Sequence, residues 1–115
     1  MIDDGVYRIK CRYAVALQKL IQANKKINRA SGNTPHPGAD DSYGKLSSST
    51  GIRKGTISDT ITAKTDIKGS TLYRLLGALG YSLAQFGAVF DAVTEAEIDD
   101  HIAQLSKLPK PPEEK

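Results

Sequence analysis

Residues 42–58 read Ser42-Tyr-Gly-Lys-Leu-Ser-Ser-Ser-Thr-Gly-Ile-Arg-Lys-Gly-Thr-Ile-Ser58, and their spacing predicts two short helices meeting at a tight bend. Ser42 offers a side-chain oxygen to the free amides of a first turn, so a helix starts there. Leu46 is its inward residue, and Ser47 is small enough to let a second helix come close. Gly51 falls where a chain leaves a helix in the left-handed conformation, and Ile52 is the apolar residue of the turn. Arg53 to about Thr62 makes the second helix, with Ile57 and Ile61 four apart and pointing inward. Gly55 and the threonines weaken its intrinsic propensity, so packing must hold it.

Working outward, Leu72, Leu75, Leu76 and Leu79 recur at steps of three and four and end in Gly80, which predicts a core helix. Ser82 caps a further helix in which Leu83, Phe86, Phe90 and Val93 share a face, and Gly87 is the point at which it could be interrupted. Thr94-Glu-Ala-Glu97 is a capping box, and Ile98, Ile102 and Leu105 form a narrow stripe in the helix it opens. Upstream, Tyr7 to Ile27 reads as a first helix with its stripe at Ile9, Tyr13, Ala16, Leu17, Leu20, Asn24 and Ile27. Lys10, Arg12, Lys19, Lys25 and Lys26 then form a basic exterior. Residues 28–41 carry two prolines and two glycines and read as a long exposed loop, with His36 a solvated residue inside it.

The whole chain therefore reads as all-α. A helical unit spans 1–93, a C-terminal helix spans 94–108, and a disordered tail spans 109–115. With 115 residues there is room for one core and not two. No Trp, two Phe and five Tyr leave that core to aliphatic residues, which suits helix-on-helix packing. The single Cys11 lies in an apolar pattern and reads as a small core residue. One thiol, no signal-like start and no long apolar run together predict a cytoplasmic protein without a membrane segment.

The formal charge of +3 is unevenly distributed: residues 1–30 carry +5, residues 31–86 carry +2 and residues 87–115 carry −4. A positive first two-thirds suits a phosphate-backbone partner and equally suits a solvated face.

Two helices at a glycine bend are what a helix-turn-helix requires. Residues 42–58 resemble the lambda-repressor-like helix-turn-helix family (Cro/cI type, XRE family), matching its pattern at Ser42, Leu46, Ser47, Gly51, Ile52, Thr56, Ile57 and Ser58. The segment Leu72–Leu79, Gly80 and Ser82-Leu83 resembles the family's next helix and the start of the one after. The likeness covers about 42–86. The loop before Ser42 is longer than usual, Arg53 replaces the usual cap serine, and Ile61-Thr62-Ala63 replaces the usual exit. The resemblance implies a five-helix domain, to which this chain adds its C-terminal helix.

It also implies roles. The helix at about 53–62 would enter a DNA major groove while its predecessor crosses the backbone. Arg53, Lys54, Gly55, Ser58, Asp59 and Thr62 would face the groove, and Tyr43 would meet a phosphate or a base edge. Lys54 can donate to guanine, and Asp59 can accept from cytosine. Lys45 and Lys64 would hold phosphates.

The function so implied is a sequence-specific transcriptional regulator of the repressor kind, nucleoid-associated when bound to double-stranded DNA. Family dimers set their reading helices about 34 Å apart, so a homodimer is expected. The stripe Ile98-Ile102-Leu105 serves either as a dimer or partner seam or as an internal contact. The alternative is an antitoxin-like or other protein-interaction module that retains the fold. An enzyme is not expected: the histidines and cysteine show no triad spacing, and there is no phosphate loop. Asp40-Asp41 and Asp99-Asp100 are neighbours in sequence, and since adjacent residues on a helix diverge by about 100° they form no natural dyad. No cofactor or metal is implied.

Overall fold

The computed structural model describes residues 4–30 and 40–107, which form six α-helices and no strand. They are α1 (Asp4–Ala30), α2 (Tyr43–Thr50), α3 (Lys54–Ile61), α4 (Gly69–Leu79), α5 (Leu83–Ala92) and α6 (Glu95–Lys107). The expected tail, His36 and most of the expected loop lie outside the described residues.

Helix α1 is the axis of the molecule, with α3, α4, α5 and α6 packed around it and α2 set against α3 and α4. Four consecutive residues, Ala14, Val15, Ala16 and Leu17, are buried. A helix with one covered stripe cannot bury four in a row; one enclosed on several sides can.

That enclosure corrects the expected face. Cys11 and Asn24 are buried as expected, but Ile9 and Ile27 are 52% and 46% exposed, and Asn28, expected in the loop, is buried. The asparagines lie inside because backbone oxygens there need donors. Asn24 Nδ2 donates to Asp40 O at 2.8 Å and to Leu79 O at 2.9 Å, and Asn24 Oδ1 accepts from the Tyr81 hydroxyl at 3.2 Å. Asn28 Nδ2 donates to the Asp41 carboxylate at 3.0 Å. The helix runs past Ile27 to Ala30, so residues 28–30, expected in the loop, are helical.

The later helices begin and end on local chemistry. Ser42 Oγ accepts from Lys45 N at 3.1 Å, and α2 leaves through Gly51 at φ 77°. Helix α3 leaves through Ala63 at φ 61°, its only described non-glycine residue in the left-handed region. Ala63 N donates to Thr60 O and Lys64 N to Asp59 O, the paired bonds of a Schellman exit. The buried Ala63 methyl joins the core, which offsets the backbone cost a glycine would avoid.

Helix α4 buries all four leucines and turns at Gly80. Helix α5 follows at 99° to it, opened by a reciprocal pair in which Gln85 N donates to Ser82 Oγ and Ser82 N donates to Gln85 Oε1. It runs unbroken through Gly87, with Phe86 and Phe90 packed around Tyr13 of α1. Leu83 departs from its expected face and is 58% exposed. Thr94 and Glu97 form the second capping box, as read from the sequence.

Helix α6 lies against α1 and reaches the end of α3 through one side chain. Ile98 joins the same core, and the buried His101 places Nε2 2.9 Å from Ile61 O, at the last residue of α3. The stripe is thus spent, at Ile98, on an internal contact. Among the described residues no single helix is long and apolar enough to cross a membrane.

Candidate functional site

The bend between α2 and α3 is held from three directions. Thr50 Oγ1 donates to Leu46 O at 2.6 Å and accepts from Ile52 N at 3.0 Å. The Arg74 guanidinium reaches over from α4 and donates to Thr50 O. Below the bend, Leu46, Ile57 and Ile61 converge with Leu17, Leu75 and Leu79. The angle between the two helices is therefore set by side chains from α1 and α4 and does not depend on the turn alone.

One face of α3 is consumed by this packing and the opposite face is open. Ile57, Thr60 and Ile61 are buried, while Arg53, Lys54, Gly55 and Thr56 are exposed. Ser58, Asp59 and Thr62 stand half-buried on the flanks. A Cβ added at Gly55 would meet nothing within 4 Å, so that position is open space and the glycine is not required by the chain's own packing. Arg53 caps α3 without a side-chain bond, which leaves its guanidinium and the first-turn amides available to an outside acceptor.

The remaining expected residues are less uniform. Lys64 is exposed beyond the exit of α3. Thr62 has committed its hydroxyl proton to Ser58 O at 2.9 Å, so it can only accept. Tyr43 is half-buried against the core, and this burial pushes its phenol pKa up. Lys45 is exposed but paired with Asp41 at 2.9 Å. Two further cations escaped the sequence reading: Arg74, which locks the bend, and Lys68, exposed at the start of α4 beside a shallow groove lined by Thr56, Thr65 and Thr71. The apolar pattern gave no signal for either: Arg74 lies opposite the leucine stripe, and Lys68 is the residue that precedes α4.

The basic exterior expected of α1 is only partly there. Arg8 pairs with Glu95 at 2.6 Å and Asp99 at 3.0 Å, Arg12 with Glu95 at 3.1 Å, and Lys19 with Glu97 at 2.8 Å. Arg12 also donates to Phe90 O and Val93 O, satisfying carbonyls at the end of α5, and lies 5.6 Å from the Phe90 ring centre. The acidic C-terminal quarter thus answers three of the α1 cations from within the chain. Bonds to Glu95 and Asp99 raise the Arg8 pKa. The Glu97 carboxyl is lowered from its ordinary 4.5 by its bond with Lys19 and by the Thr94 amide.

A depressed carboxyl contributes stability that is present above its unfolded pKa and is lost as pH falls through its folded value. Thermal stability is accordingly expected to fall below about pH 4.5. Lys19→Gln should make that fall shallower, as read by melting temperature against pH for the two proteins. Identical acid limbs would show that the pair contributes nothing.

Cys11 is fully buried, and burial raises its thiol pKa, which makes it a poor nucleophile. Among the described residues no three His, Cys, Asp or Glu side chains cluster closely enough to hold a metal ion. No protein-family model, curated protein or solved structure matches the chain.

Proposed function

We propose that α2, the Gly51-Ile52 bend and α3 form a lambda-repressor-like helix-turn-helix, and that the protein is a sequence-specific DNA-binding transcriptional regulator of the repressor kind. The observation that carries the reading is the division of α3. Its inner residues are locked between α1, α2 and α4, and its outer first turn offers Arg53, Lys54 and the bare Gly55 to solvent.

In this reading α3 enters the major groove, with Lys54 donating to a guanine edge and Arg53 to a base or a phosphate. Gly55 leaves room for close approach of the duplex. Ser58 and Asp59 contact it from their half-exposed flank, and Lys64 and Lys45 hold the backbone on either side. Two copies on a two-fold site remain part of the proposal. The α6 seam does not, because Ile98 and His101 are already buried within the chain.

A mobility shift at low and high salt separates this from a protein-interaction module of the same fold. A DNA reader binds and weakens steeply as salt rises, and an interaction module retains no duplex at either salt. Lys54→Ala is expected to weaken binding to the selected sequence by about 1–3 kcal/mol while leaving unrelated duplexes nearly unaffected. An equal loss on all sequences would move Lys54 to the phosphates.

A further inference from the structure

The cations of α1 differ in their surroundings. Arg8, Arg12 and Lys19 are answered by α6. Lys25, Lys26 and Arg29, at its last turns, are exposed and have no carboxylate within ion-pair distance among the described residues. The segment that follows, residues 31–39, contains no Asp or Glu to supply one.

Lys25 and Arg29 are four apart and Lys26 and Arg29 three apart, so they crowd one side of the helix. Like charges at these spacings repel one another, and three exposed cations with no bonded carboxylate are open to an anionic partner outside the chain.

The position of the cluster narrows that partner. Asn24 and Asn28 of α1 bond Asp40 O and the Asp41 carboxylate, and Asp41 in turn holds Lys45 in the first turn of α2. The end of α1 is thereby tied to the start of α2. Lys25, Lys26 and Arg29 flank Asn24 and Asn28 in the sequence of α1, so the cations at the end of α1 lie near the junction where Asp41 holds Lys45.

We infer that Lys25, Lys26 and Arg29 form a second phosphate-binding arm, which carries the contact with a nucleic-acid duplex past the start of α2 and along the backbone. This rests on the DNA-binding reading and extends it to a surface outside the α2–α3 pair. Phosphate contacts position a protein without reading bases, so the arm adds affinity to every sequence alike.

The test compares the intact chain, the triple variant Lys25→Gln/Lys26→Gln/Arg29→Gln, and Lys10→Gln, by fluorescence anisotropy on labelled duplexes of mixed sequence. Lys10 lies about 22 Å along the helix from Lys25 and serves as the control. Each neutralised phosphate contributes about 0.9 to the slope of log affinity against log salt. The triple variant is expected to lower that slope by about 2–3 units, equally on selected and unrelated duplexes, with Lys10→Gln unchanged. A triple variant with the parental slope overturns the arm while leaving the helix-turn-helix reading intact. Failure of the parental chain to bind any duplex overturns both.

Discussion

Ile57→Asp is expected to abolish the cooperative unfolding transition at 25 °C. Ile57 is 1% exposed and sits where α1, α2 and α4 converge on α3. The substitution forfeits about 2–3 kcal/mol of apolar burial and places in its stead a carboxylate with no cation near it. Desolvating that charge costs several kcal/mol more. A domain of this size has about 5–15 kcal/mol in total, so the two terms together remove most or all of it. Ile57→Val, which deletes one methylene, should cost about 0.5–1.5 kcal/mol and keep the transition sharp. The check is thermal denaturation by circular dichroism. A cooperative melt for Ile57→Asp would mean that α3 is not locked from beneath, and the open outer face would lose its rigid support.

The second large effect is expected at Asn24, 1% exposed. Its amide donates to two backbone carbonyls, from the segment before α2 and from the end of α4, and its oxygen accepts from Tyr81. Asn24→Ala strands those carbonyls in a buried place at about 1–3 kcal/mol per orphaned group. A net loss of about 3 kcal/mol follows, or about 10–15 °C in melting temperature. Asn24→Asp should do no better, since a carboxylate oxygen would face two carbonyl oxygens. A loss below about 0.5 kcal/mol for Asn24→Ala would show that water replaces the amide freely.

These two residues show what a sequence can and cannot disclose. Ile57 was legible, as were the leucines of α4, Gly51, Gly80 and the Thr94 box, because each belongs to a pattern completed within a few residues. Asn24 was placed on the covered face by its spacing, but why a polar group belongs there depends on Asp40 and Leu79, which approach only when the chain has folded. Ile9, Ile27 and Leu83 went the other way: apolar spacing predicted burial, and all three are exposed. The pairing of Arg8, Arg12 and Lys19 with the acids of α6 was out of reach for the same reason, with about 80 residues separating the partners. So was the internal use of His101. In the candidate site, Arg53, Lys54 and Gly55 are exposed on the outer first turn of α3. Tyr43 and Thr62 are more committed to the protein than spacing alone indicated.

The central claim is that the outer first turn of α3 reads a base sequence. Selection of bound sequences from a random duplex pool, using the intact chain, tests it most directly. The account predicts enrichment of a two-fold symmetric consensus with half-sites one helical turn apart, about 34 Å, that is altered at the contacted base when Lys54 is replaced. A pool that stays random through selection, or an identical consensus from the Lys54→Ala protein, would contradict it.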